Sequence, residues 1–265
     1  VIPCAVIFMM IYAKLSNVLS KEKLFYVTLT PFLIFFALFT TVLYPFRDSL
    51  HPTETANYLQ SVLPDGFSGL IAIFRNWTFS VFYVLSELWG SVVLSLLFWS
   101  FANEITKVTE AKRFYGLFGI GANLALLVSG PIIVFFANIK DKVAEGVDPW
   151  QVTLNWLMLF VVVAGVLIMI VYRYMNKNVI TDSRYYDPTQ VKKKKNKPKL
   201  GMMESFRFLF TSKYLGCLAL LVIGYGICIN LVEVTWKSQL KVQYPNYNDY
   251  QAFMGYFSTV TGAVT

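Results

Sequence analysis

Apolar residues in this chain of 265 fall into long runs parted by short polar stretches. Four runs, Leu24–Phe46, Asn76–Asn103, Phe114–Ala137 and Leu154–Met175, reach the ~20 residues that a helix needs to cross the hydrocarbon of a bilayer. A fifth extends from about Phe208 to Trp236, while Val1–Ala13 reads as the remainder of another and Ala252–Thr265 as the start of one more. The pattern predicts an all-α fold, a polytopic transmembrane helical bundle. Both ends fall inside apolar runs, which predicts a piece of a longer protein. Between the first two full runs, the stretch 47–75 carries "HPTETANYLQ" and "LPDGFSG" ahead of "LIAIF". It is expected to pack on the outer face with a short amphipathic helix.

One span breaks its own rule. "NWTFSVFYVLSELWGSVVLSLLFWSFAN", from Asn76 to Asn103, is uncharged except for Glu87. At the helical advance of about 100° per residue, Asn76, Ser80, Tyr83, Glu87 and Ser91 share one face. The line continues apolar through Leu94 and Phe98, and other faces carry Val81, Phe82, Leu88, Val92, Val93, Leu96 and Leu97. Glu87 lies roughly 16 Å below the helix start, near the midplane of a ~30 Å core. A carboxylate there costs several kcal/mol unless it is paired, hydrated or protonated. A functional pathway accounts for it better than a structural pair between helices.

Two further strips carry polar groups into apolar spans. Gly116, Gly119, Asn123, Leu127 and Gly130 share a face, on which the glycines permit close helix approach. Gly130-Pro131 is expected to bend that helix. Asn123 divides evenly between an interhelical bond and a substrate contact. In "GYGICINLVEVTWKSQLK", Glu233 shares a face with Gly226, Asn230 and Lys237, and Glu233 with Lys237 has the spacing of a favourable helical pair. Gly224 and Gly226 predict a hinge or broken span beside a cavity. Trp89 and Trp236 read equally as interfacial or packing residues and as stacking platforms.

Composition agrees with the pattern. Hydrophobic residues make up 56% and charged ones 14%, with a mean hydropathy of +0.55; a soluble domain carries nearly twice that charge. The net charge of +8 is concentrated, with eight Lys/Arg between Lys177 and Lys199. That run reads as a cytoplasmic loop fixing topology, with anionic lipid as a lesser contact and nucleic acid excluded. If loop 14–23 is cytoplasmic, seventeen of the 23 Lys/Arg fall on that side and six on the other. Six spans, a basic linker and a new bundle match the 6+6 plan of the major facilitators. The expected domains are an N-terminal bundle over 1–175, a linker over 176–205 and the start of a second bundle over 206–265.

Catalytic chemistry finds little footing. Cys4, Cys217 and Cys228 lie in apolar segments, and the last two are too far apart along a helix to bridge. His51 is the single histidine, so no histidine relay forms here. No phosphate-binding glycine loop, zinc spacing or His/Asp or Cys/His pairing stands at a membrane boundary, so neither enzyme nor cofactor nor metal is expected.

"SELWGSVVLSLLFWSFANEIT", "RFYGLFGIGANLALLVSGP" and "NLVEVTWKSQLKVQYPNYNDYQAFMGYFSTVTG" resemble the ATP/ADP translocases of obligate intracellular bacteria and plastids, the chlamydial members above all. The resemblance implies a twelve-span, major-facilitator-like exchanger that imports ATP and exports ADP, here from its second span to the start of its eighth. It implies that Glu87 and Glu233 are the family's membrane carboxylates and that two lysines sit in the first and last spans, outside this piece. Lys237 is the nearest phosphate candidate within it, and Tyr83, Asn123 and Asn230 are expected to add contacts. ATP and ADP are the implied substrates, with phosphate a further candidate, and the bilayer is the one partner expected. A bacterial inner membrane is the expected location and the plastid inner envelope the alternative. Rival functions are a nucleotide–proton symporter using Glu87 as proton carrier and a facilitator for another solute.

Overall fold

The computed structural model describes residues 1–106, 110–181 and 211–265, and all regular structure among them is helical. Helix α1 spans Ile2–Val18 and α2 spans Lys21–Leu38, closing on a wide π-turn over Phe39–Leu43. Ser20 caps α2 by accepting the Lys23 N–H, and Glu22 complements the dipole in the first turn. In the 47–75 stretch several helical pieces form rather than one, the two longest being α3 (Thr53–Val62) and α4 (Ser68–Arg75). Arg75 ties them together, donating to Asn57 Oδ1 at 2.8 Å and Gln60 Oε1 at 2.9 Å. The pair is anchored where His51 Nε2 meets the buried Thr78 hydroxyl at 2.6 Å.

Helix α5 runs Trp77–Ile105, α6 Ala111–Ala137, and α7 Pro149–Tyr174, which continues to Val179. Helix α8 spans Lys213–Gln243 and α9 Tyr247–Val264. Among the described residues five helices are long and apolar enough to cross a membrane: Lys21–Leu43, Trp77–Ile105, Arg113–Ala137, Pro149–Val179 and Lys213–Gln243. Most of the expected linker lies outside the described residues.

Contacts sort the helix ends onto two sides in the alternation that the basic-residue count predicts. Lys21, opening α2, pairs with Glu104, closing α5. On the opposite side, Tyr44 donates to Asp148 Oδ2 at 3.1 Å, and the Trp150 and Tyr247 rings lie 5.7 Å apart.

The core of the first group is an aromatic seam. Phe25, Leu29, Phe32, Leu33 and Phe36 of α2 meet Leu88, Val92, Val93 and Leu97 of α5 and Tyr172 of α7. Phe25 stacks on Tyr172 at 3.8 Å, and Trp89 sits edge-on to Phe32 and Phe36 at 5.9 and 5.6 Å. Trp89 is therefore a packing residue. Within α5, Gly90–Phe98 is wound as π-helix. The wider turn is why Leu88, Val93, Leu97 and Ala102, four or five residues apart, all turn inward.

A second seam is built from backbone. Helix α9 lies against α6, where a Cβ added to Gly255 would stand 2.8 Å from the Gly130 carbonyl oxygen. One added to Gly262 would stand 2.7 Å from the Asn123 carbonyl oxygen. Only residues without side chains allow that approach. Helix α8 is continuous through Gly224 and Gly226, against the hinge expected there. A glycine lowers helix preference by about 1 kcal/mol, whereas a break in lipid strands several backbone groups at several kcal/mol each.

Candidate functional site

The first seam decides which face of α5 remains for chemistry. With Leu88, Val92, Val93 and Leu97 committed to α2 and α7, the Tyr83 and Glu87 face points away from the core. Tyr83 is 52% exposed and Glu87 half-buried. The outer members of the same stripe satisfy themselves. Asn76 donates to the Ala72 carbonyl at 3.1 Å, and the Ser80 hydroxyl donates to the Asn76 carbonyl at 3.1 Å. Neither is held available for a ligand. Ser91 falls in the π segment and is exposed.

On the second group, Lys237 Nζ and Glu233 Oε1 lie 2.5 Å apart, and both side chains are about two-thirds covered. The Lys237 ammonium also lies in the field of the Glu87 carboxylate on α5 and of the Tyr250 phenol on α9. The Glu233–Lys237 pair is thus formed within one helix, and Glu87 acts on it from another through its charge. A dry surround strengthens such charges toward one another and toward any charged solute between them. Glu87 makes no hydrogen bond or short ion pair among the described residues, so its oxygens stay available.

Asn230 and Asn123 sit differently. Asn230 is exposed on α8 and spends its amide N–H on the Gly226 carbonyl at 2.8 Å. Asn123 is half-buried on α6 beside the glycine seam, and its side chain makes no interhelical bond among the described residues. Of the residues singled out, Glu233 and Lys237 form a direct pair and Glu87 acts on Lys237 through its charge; Tyr83 stands on the same face as Glu87. Trp236 packs on Phe257 at 4.9 Å, tying α8 to α9.

Sequence reasoning missed a polar joint on the side of the 47–75 stretch. Asp148 caps α7 by accepting the Trp150 and Gln151 N–H groups, and its other oxygen accepts from Tyr44 and from Arg47 at 3.4 Å. The Arg47 guanidinium lies 4.3 Å over the Tyr44 ring. Burial, reinforced by the Asp148 charge, pushes the Tyr44 phenol above its ordinary range. "DPW" carried a readable signal here, an N-cap Asp followed by Pro at the first helical position.

Five membrane-length helices among the described residues, with carboxylates carried into two of them, define an integral, polytopic helical membrane protein. The family described as TLC ATP/ADP transporter matches residues 1–265, and the chain belongs to it. It is 63% identical to ADP,ATP carrier protein 1 of Chlamydia pneumoniae over all of this chain and 52% of that relative. It is 62% identical to the protein of the same name from Chlamydia trachomatis serovar D, with 100% and 50% covered. To ADP,ATP carrier protein 1, chloroplastic, of Arabidopsis thaliana it is 52% identical, with 100% and 41% covered. The chain spans about half the length of the curated relatives it matches. No solved structure matches it.

Proposed function

We propose that the chain is part of a membrane antiporter that exchanges ATP for ADP by alternating access, a transporter rather than an enzyme. The observation that carries this reading is the match to carriers of that name along its whole length. Higher identity to chlamydial than to plastid relatives favours import of ATP across a bacterial cell membrane. Residues 1–175 and 206–265 would belong to the two halves of a major-facilitator-like 6+6 plan, joined by the basic linker over 176–205.

Glu87, Glu233 and Lys237 form the charged core of the proposed site, and Tyr83, Asn123 and Asn230 lie along the same route. A nucleotide brings three or four negative charges, so carboxylates alone would repel it. Here Lys237 is already held by Glu233 and faces Glu87. An arriving polyphosphate competes for that ammonium and for the lysines expected elsewhere in the full protein. The two glutamates then hold the cations in the empty state and release them in the loaded one. Carrying mismatched charges through an occluded state is costly without either nucleotide, which makes the exchange obligatory. Swapping ATP for ADP moves about one net charge, worth roughly 2.3 kcal/mol per 100 mV.

Counterflow by the full-length protein in liposomes tests this. Glu87→Gln should insert normally and lose most ATP uptake driven by internal ADP. Wild-type uptake in that variant would remove Glu87 from the mechanism. Uptake driven by a pH gradient without internal nucleotide would replace exchange with proton symport.

A further inference from the structure

A cavity of about 470 Å³ opens where the two helix groups meet on the side of the 47–75 stretch. Asp148, Pro149 and Trp150 line it from the start of α7, and Pro245 to Asn248 line it from the start of α9. It contains an anomaly. Asn248 is 4% exposed, and its Oδ1 has no hydrogen-bond partner among the described residues. A buried amide oxygen left unpaired costs about as much as a lost hydrogen bond, so a site that keeps one invites a donor.

The other side-chain oxygens of Asp148 and Asn246 in the cavity are engaged. Asp148 Oδ1 accepts the Trp150 and Gln151 N–H groups at 3.0 and 3.4 Å, and Oδ2 accepts from Tyr44 and Arg47. Asn246 Oδ1 accepts the Asn248 N–H at 2.8 Å. Among the described residues no Lys, Arg or His lines the cavity, and a carboxylate does. Polyphosphate is therefore disfavoured there. Two aromatic rings and a free amide instead suit a flat heterocycle carrying an N–H donor.

We infer that this cavity is an entry subsite for the adenine ring of the nucleotide, distinct from the charged cluster at Glu87 and Lys237. The inference rests on the nucleotide-exchange reading above. An asparagine amide matches the adenine edge in two places, its oxygen taking the exocyclic N–H and its nitrogen serving N7. Guanine presents two acceptors along the same edge and leaves the Asn248 oxygen unmatched. The base reaches the amide as the Trp150 and Tyr247 rings part, and stacks on the face that this exposes.

Trp150 fluorescence in the full-length protein supplies the test, with adenosine and guanosine as probes and Trp150→Phe as the blank. Adenosine should quench the Trp150 emission, with guanosine about tenfold weaker. Asn248→Ala should erase that preference and raise KM for ATP more than it lowers kcat. Should Asn248→Ala fail to fold, Tyr247→Ala, at a residue 66% exposed, should still weaken the adenosine quench. Unchanged emission with adenosine, in a preparation that exchanges ATP for ADP, would overturn the subsite and leave the exchange reading intact. Quenching in a protein that exchanges nothing would support the subsite and sink that reading instead.

Discussion

The two seams hold helices together by opposite means. Between α2, α5 and α7, large rings interlock, with Phe39 stacked on Phe82 at 4.1 Å and Phe25 on Tyr172 at 3.8 Å. Between α6 and α9, Gly130, Gly255 and Gly262 let the backbones approach closely, with small or branched side chains such as Thr259 and Val134 seated on the glycines. Each ring must leave a fitted pocket before its helix can shift. A glycine seam filled by small side chains has fewer such keys, so it resists a change of helix angle less than interlocked rings do. The first seam therefore fixes a rigid group that presents Glu87. The second joins that group to the one carrying Lys237 and can bear a change of angle.

The largest effect expected is loss of the first seam. Phe36 is 3% exposed and meets Phe82 at 6.0 Å and Trp89 at 5.6 Å. Phe36→Ala should lower stability by about 3–5 kcal/mol through the cavity it leaves. Unfolding of the full-length protein in detergent measures this, and a cost under about 1 kcal/mol would mean that α2 and α5 are held elsewhere.

The spans were legible because membrane thickness sets their length, and the Glu87 face because Leu88 and its neighbours are unmistakably apolar. The winding beyond Glu87 was not. A π segment at Gly90–Phe98 answers to the positions of Phe25, Phe32 and Tyr172, which belong to other helices. The glycine strip on α6 was visible as a strip, yet only Gly130 finds a partner, while Gly116 and Gly119 face open space. Which glycine matters depended on α9, whose own Gly255 and Gly262 lie seven residues apart and carry no charge to draw notice. The proximity of Glu87 to Lys237 is likewise a product of how α8 and α9 are placed. Local spacing could suggest Glu233 with Lys237, and could not suggest their third partner.

The second seam should break with less loss of stability and more loss of transport. A side chain at Gly255 meets the Gly130 carbonyl and Val134 at 2.8 Å and Ile133 at 3.1 Å. Gly255→Val should cost about 1–3 kcal/mol as overpacking. Exchange per folded molecule should fall well below that of Phe36→Ala, because under the proposed alternating access the wedge acts where the helices move. Equal transport per folded molecule in the two variants would erase the proposed division between a rigid seam and a rocking one.

Where the regions meet, Tyr44 offers the smallest and most specific effect. Its ring packs against Phe39 and Phe79 of the first group, and its hydroxyl holds Asp148 beside the Trp150–Tyr247 contact with the second. Tyr44→Phe keeps the ring and removes the bond to a carboxylate that is 33% exposed, so about 1 kcal/mol is expected. The pH dependence separates that bond from simple packing. Burial first, then the Asp148 charge, raise the folded phenol above its ordinary value of 10.0. Above about pH 10 the unfolded phenol releases its proton while the folded one keeps it, so stability falls as pH rises. The wild type should lose its advantage over Tyr44→Phe progressively above about pH 10, and hold it fully below. A gap that stays constant across that range would mean the hydroxyl contributes shape alone, and that the joint between the two seams does not depend on its proton.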